Sequence, residues 1–238
     1  MIYELRLYTV MPGRMADNHN RFERHLPALF ERHGIANVGR WTAISGPNAP
    51  MFIYMMAYHD LAERERQWAE FYGDEEWWSI RARTNGAEQM VERFDLFFLK
   101  PNVIWFADPA RANDRLGGIH ELLIAEIALG HQAEANAILS ETLIPLVERR
   151  GGCIMMVADL ISGVALPKTA MMVAWPDAAA QHAGRLAIDR DSGLQAATAS
   201  QRKAIGRPPI GRTDIYVLEP TAFALPLATL GRGKVAAD

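Results

Sequence analysis

The sequence predicts an α+β fold in which two tandem ferredoxin-like units place their sheets against each other and close a barrel within one chain. Three observations carry this. Sliding the chain along itself by 117 positions pairs residues 2–60 with 119–177 without a gap, and 17 of the 59 pairs are identical, against about one in sixteen for unrelated sequence. Each copy then runs through strand, helix, strand, strand, helix and strand patterns in the same order. The strands alternate along their length, so each four-stranded sheet has one face for its helices and another that needs a cover, which the second copy supplies.

The opening stretch IYELRLY (residues 2–8) sets Glu4, Arg6 and Tyr8 against Tyr3, Leu5 and Leu7 with the period of two that marks a strand. Pro12 and Gly13 then turn the chain. Residues 14–33 carry Met15, Phe22, Leu26, Leu29 and Phe30 at helical spacing, and Gly34 supplies the left-handed cap. Strands are expected over 37–44 and 51–58, on either side of the Gly46-Pro47 turn. Asp60 caps a helix over 61–71, Asp74 starts a further turn or two, and a last strand over 91–99 stops at Pro101.

The second copy opens with IHELLIA at Ile119 and repeats the anchors: LIPLVERRG for LPALFERHG, Ile161-Ser162-Gly163 for Ile44-Ser45-Gly46, Pro167 for Pro50 and Asp177 for Asp60. Arg212, Asp214 and Pro220 follow Arg93, Asp95 and Pro101 at an offset of 119. The expected division is a first domain over 1–101, a linker over 102–117, a second domain over 118–220 and a tail over 221–238.

Composition narrows the partners. The 238 residues carry a net charge of −3 and no basic stripe with interleaved aromatics, so nucleic acid is not an expected partner. No run approaches the roughly 20 apolar residues that cross a bilayer, and the opening strand lacks the basic and apolar regions of a signal peptide. A cytoplasmic protein is expected. Cys153, the single cysteine, forms no intrachain disulfide and follows Gly151-Gly152 as a buried thiol. The seven histidines form no i, i+4 helix pair and no HExxH or CxxC spacing exists, so no metal site is expected. His33, in the last turn before Gly34, is accounted for by the helix dipole. No glycine-rich phosphate loop or GxSxG elbow stands in the chain, and no cofactor is assigned.

Leu5 and Leu7 recur as Leu122 and Ile124, whereas Arg6 and Tyr8 become Leu123 and Ala125. The face kept apolar in both copies, with Ile53, Met55 and Ala57, is expected to pack on helices. The face that changes is expected to point into the barrel. It would bring Glu4, Arg6, Tyr8 and Tyr54 together as candidate catalytic groups, with Tyr58, Arg93, Asp95 and Trp175 as substrate contacts. A carboxylate, an arginine and several phenols beside an apolar wall suit a small, partly polar organic molecule in the barrel. Arg6 is suited to a carboxylate or enolate, and a tyrosine to a developing oxyanion. Equally, Glu4 with Arg6, or Arg93 with Asp95, can serve only to neutralise each other in a buried interface. The aromatic cluster Trp68, Phe71, Trp77 and Trp78 reads as core, replaced in the second copy by Arg185, Ile188, Leu194 and Gln195.

The stretches YELRLYTVMPGR, LPALFERHGIANVGRW, MAYHDLAERERQWAEF and DEEWW resemble the NIPSNAP family in a bacterial form with two tandem copies. The resemblance covers residues 2–101 most fully; over 118–220 it rests on IHELLI, LIPLVERRG and the Trp175-Pro176-Asp177 corner. It implies a dimeric α+β barrel, here made by two halves of one chain. The wider superfamily includes cofactor-free monooxygenases of polyketide quinols, haem-degrading monooxygenases and lactone isomerases. The second copy lacks the strand-one arginine and DxEWW, so a twofold-equivalent site is not implied. Two functions follow: a cofactor-free monooxygenase or isomerase acting on a small aromatic or polyketide-like substrate, or a non-catalytic small-molecule-binding or protein-interaction module. A haem-handling protein, which would need His25 or His33 as axial ligand, ranks third. Exposed helix faces leave room for a homo-oligomer.

Overall fold

The computed structural model describes residues 1–104 and 118–221. The first unit comprises β1 (Ile2–Val10), α1 (Met15–Arg24), α2 (Leu26–Arg32), β2 (Ala36–Ser45), β3 (Met51–Tyr58), α3 (Leu61–Gly73), α4 (Glu75–Asn85) and β4 (Val91–Pro101). The second comprises β5 (Ile119–Ile127), α5 (Gln132–Ile138), a π turn (Leu139–Leu143), α6 (Ile144–Arg149), β6 (Cys153–Leu160), β7 (Lys168–Trp175), α7 (Ala178–Asp189), α8 (Ser192–Ile205) and β8 (Ile210–Pro220). Nearly all of the expected linker and tail lies outside the described residues.

Local chemistry explains where these elements stop. The single helix expected over 14–33 is two, parted at His25, because Pro27 in the first turn of α2 has no N–H for the carbonyl four residues back. The second copy carries its proline one position later, as Pro145, and passes it by a π turn. Asp60 accepts from the Glu63 amide at 2.8 Å, and Asp177 repeats the cap on Ala180 at 2.8 Å. Gly34 and Gly151 both end their helices with positive φ, 67° and 90°. The stretch after Asp74 is longer than expected: Asp74 accepts from the Glu76 amide, and α4 runs eleven residues to Gly86, whose φ is 64°.

Every strand pair is antiparallel, and the order β1-β3-β2-β8-β5-β7-β6-β4 closes on itself. The two sheets meet edge to edge, β2 on β8 and β4 on β6, so neither unit keeps an open edge. Trp41 of β2 also donates its indole N–H to His120 Nδ1 of β5 at 2.9 Å, tying the halves across the lumen.

The register corrects the expected assignment of faces. Leu5 and Leu7 of β1 with Ile53 and Met55 of β3 form one cluster with Leu122, Ile124, Met172 and Ala174 of the other half, which places them inside the barrel. Phe52, Tyr54, Met56 and Tyr58 pack instead with Phe22, Leu29, Phe30, Trp68 and Phe71 of the helices. Arg6 stands opposite Tyr54, and Glu4 opposite Met56. Directly opposed residues share a face, so the polar set lies beneath the helices. An eight-stranded barrel is only wide enough to be filled by its own side chains. The lumen therefore takes the face that is apolar in both copies.

The second half shows how closely helix and sheet approach. Trp175 is fully buried, and a Cβ on Gly184 of α7 would lie 2.3 Å from its ring. Gly73 of α3 has open space around it. Gly73→Ala is expected to stabilise the protein by up to about 1 kcal/mol, as helix propensity dictates. Gly184→Ala is expected to reverse that sign and cost about 1–3 kcal/mol through overpacking. Urea midpoints of the two variants against the parent check both.

Candidate functional site

Between the outer face of the first sheet and its four helices lies a cavity of about 540 Å³. Arg6, Tyr8 and Tyr54 rise from the β1 and β3 floor; Phe22, Leu26 and Phe30 come from α1 and α2; Trp68 and Phe71 from α3; Trp77, Trp78, Arg81 and Asn85 from α4. Phe94 of β4, opposite Tyr8, closes one side, and Tyr72, Trp78 and Phe94 are exposed at the mouth.

A buried charge network underlies the floor. Glu4 is fully buried and both its oxygens are used: Oε1 accepts from Arg6 Nε, and Oε2 accepts from Arg64 Nε at 2.7 Å. The Arg6 guanidinium, 2% exposed, lies 4.0 Å from the centre of the Trp68 ring. Its Nη1 donates to Tyr54 Oη at 3.3 Å and reaches Tyr8 Oη at 3.5 Å. Burial works against the Arg6 charge, but the oxygens of Tyr54, Tyr8 and Glu4 outweigh it and hold the pKa above the usual arginine range. Burial drives the Tyr54 phenol well above its ordinary value, with Arg6 opposing, so Tyr54 stays a donor. It donates to Tyr8 Oη at 2.6 Å. Tyr8 thus accepts from both neighbours, and its own proton finds no acceptor among the described residues. Tyr8 is half-buried on the cavity wall, with a hydroxyl proton left for a hydrogen bond to a bound molecule.

The far wall is held by α4. Arg21 of α1, 5% exposed, donates from Nε to Thr84 Oγ1 at 2.8 Å and from Nη2 to Asn85 Oδ1 at 2.5 Å. The Asp74 corner that starts α4 is pinned by His33 Nε2 and Arg32 Nη1, both at 2.8 Å from Oδ2. The His33 hydrogen bond, with Arg32 and the Glu76 amide adding to it, holds the Asp74 carboxyl down at about 2. His33 therefore has a specific partner beyond the helix dipole, and neither it nor His25 lines the cavity.

The family model for NIPSNAP matches residues 3–104, the stretch that builds the cavity and its network. This part of the chain is a NIPSNAP domain. A NIPSNAP domain protein from Burkholderia xenovorans is 22% identical over 43% of this chain and 96% of its own, with a TM-score of 0.38. Two solved structures match across both halves. An anthrone oxidase-like protein gives a TM-score of 0.58 at 14% identity, covering 92% of this chain and 91% of that one. A monooxygenase-like protein from Lactobacillus acidophilus gives 0.56 at 9% identity, covering 92% and 93%. These two likenesses across both halves show the fold, a dimeric α+β barrel formed by one chain. No protein of curated function matches the sequence.

Within the NIPSNAP domain, three of the four candidate catalytic residues, Arg6, Tyr8 and Tyr54, meet at the cavity, outside the lumen where they were expected. Glu4 lies behind them as the counter-charge. Tyr58 is also behind the wall, accepting from the Trp68 indole at 2.8 Å. Arg93 reaches the rim. Asp95, opposite Leu7, shares the lumen face and is exposed, so it does not neutralise Arg93 in a buried pair. Trp175 belongs to the other half, where it packs with Leu146, Val147 and Ile188. Trp68 and Phe71 are core, as read, and with Trp77 and Trp78 they also line the cavity; Arg21 and Arg81 were not singled out. The signal for the cluster was its replacement by Arg185, Ile188, Leu194 and Gln195 in the second copy; Arg21 aligns with Ile138 and offers only that loss of charge.

In the second half Glu121 keeps the buried carboxylate but changes its partners: Gln181 at 2.8 Å, Trp175 at 3.4 Å and Arg185 at 3.5 Å. Leu123, Ala125 and Met171 stand where Arg6, Tyr8 and Tyr54 would be, so the phenol pair is confined to the NIPSNAP domain.

The depressed Asp74 carboxyl gives a pH dependence. Its contribution to stability is fully present above the unfolded value near 3.8 and is lost as pH falls through about 2. Asp74→Asn is expected to melt below the parent at pH 5, with the gap closing as pH falls from 4 towards 2. Thermal melts across that range measure it.

Proposed function

We propose that the cavity of the NIPSNAP domain is a cofactor-free active site for a small aromatic or polyketide-like molecule, with chemistry of the monooxygenase or isomerase type. The observation that carries this is the Arg6–Tyr54–Tyr8 chain, in which a buried cation and a buried phenol both point their bonds at a half-buried hydroxyl on the cavity floor. Two donors on Tyr8 Oη polarise its own O–H and strengthen the hydrogen bond it gives to an oxygen on which negative charge develops. An enolisable carbonyl or phenol seated on Tyr8 loses a proton from carbon or oxygen to solvent water at the cavity mouth more readily, because the resulting anion is stabilised. Reprotonation at another carbon gives isomerisation. Reaction of the anion with dioxygen gives oxygenation; for an anthrone, one dioxygen yields the quinone and one water.

The surrounding aromatic wall supports a flat ligand, and the volume lies in the range of small-molecule sites, roughly 300–1,000 Å³. The anthrone oxidase-like likeness supplies the choice of probe. The same reading makes residues 1–101 and 118–220 two domains of a cytoplasmic protein, the second a partner that completes the barrel. No helix among the described residues is long and apolar enough to cross a membrane.

With 1,8-dihydroxyanthrone as substrate, the protein is expected to accelerate dioxygen uptake and deuterium exchange at the acidic ring carbon. Tyr8→Phe should lower turnover by roughly 10²-fold, the size of a lost general acid, with melting temperature and KM little changed. A parent protein that binds the anthrone but catalyses neither process would replace this reading with that of a non-catalytic binding module.

A further inference from the structure

The charges around the cavity do not balance. Glu4 is the buried carboxylate of the floor and is shared by two arginines, Arg6 and Arg64. The helix wall adds Arg21 and Arg81, and the rim adds Arg93 against a single exposed acid, Glu92. Arg21 is the telling case. Its described partners, Thr84 and Asn85, are neutral, and its Nη1 has no hydrogen-bond partner among the described residues. Asp17, the acid one turn back on the same helix, is bonded to Arg14 at 2.5 Å. Burial, and then Arg81 beside it, bring the Arg21 guanidinium down to about 10. A buried cation flanked by a second cation and no free carboxylate is costly unless an anion joins it.

Building on the cavity as a ligand site, we propose that its ligand is an aromatic carboxylic acid whose carboxylate sits against Arg21 and Arg81 while its ring faces Tyr8 and Trp68. A guanidinium with an open edge matches a carboxylate in a water-poor site, and Arg81 adds a second positive charge. Arg6 is unsuited to holding that carboxylate, because its Nε and Nη1 are committed to Glu4 and the phenols and Trp68 covers its face. The two ends divide the work. The helix end reads charge, and the sheet end meets the reactive ring.

Quenching of tryptophan fluorescence at Trp68, Trp77 and Trp78 provides the assay, with 1-hydroxy-2-naphthoate as the acid, and its primary amide and 1-naphthol as uncharged probes. The parent should bind the acid at least about tenfold more tightly than the amide, a typical return for one charge-assisted pair. Arg21→Gln should weaken the acid by about tenfold or more and leave 1-naphthol within about twofold. Asn85→Asp places a competing carboxylate beside Arg21 without removing it; it should raise the melting temperature and weaken the acid, so the proposal does not hang on one variant's folding. Equal affinity of acid and amide in the parent, or equal loss of acid and naphthol in Arg21→Gln, overturns the proposal while leaving the cavity as a ligand site. Failure of all three probes to bind the parent overturns both. Acid binding that depends on Arg21 alongside full turnover in Tyr8→Phe supports the anion site and removes the catalytic role of Tyr8.

Discussion

Edge pairing of two like sheets is the constraint from which the rest of this molecule follows. β2 on β8 and β4 on β6 leave no free edge, and the price of closure is a lumen narrow enough to be filled by side chains from both halves. Its middle is packed with apolar side chains around the Trp41–His120 hydrogen bond, and Asp95, on the same face, lies where the strand is exposed. Glu4, Arg6, Tyr8 and Tyr54 lie on the other side of the sheet, where α3 brings Arg64 to Glu4 and α1 brings Arg21 to the cavity wall.

The repeat then shows which polar groups serve the fold and which are special to one copy. Glu4 and Glu121 stand at matching positions, both buried, and each is satisfied by a different set of partners: Arg6 and Arg64 in one half, Gln181, Trp175 and Arg185 in the other. A carboxylate kept in both copies and re-bonded each time serves the sheet–helix interface. The phenols of Tyr8 and Tyr54, by contrast, give way to Ala125 and Met171, and the aromatic wall gives way to aliphatic packing around Trp175. The two halves therefore share a skeleton, and the first adds to it an aromatic-walled chamber.

The chamber is held open by its own electrostatics. Arg6 spans the gap between Glu4 and the phenols, its guanidinium carbon lies 4.0 Å from the centre of the Trp68 ring, and Asp74 fixes the start of α4 through His33 and Arg32.

By itself the sequence determined the twofold repeat, the β-α-β-β-α-β order, the Asp and Gly caps, and the sharing of one face by Arg6, Tyr8 and Tyr54. Each of these depends on residues near in sequence or on a period of two or 3.6. Tertiary structure alone decided which face looks inward. Alternation along a strand distinguishes two faces but does not say which is which, and here both are buried, so polarity misleads. Nor could spacing reveal that Arg21 meets Thr84 and Asn85, more than sixty residues away, or that Trp68 covers Arg6. Those contacts exist only once barrel closure has fixed where each helix lies.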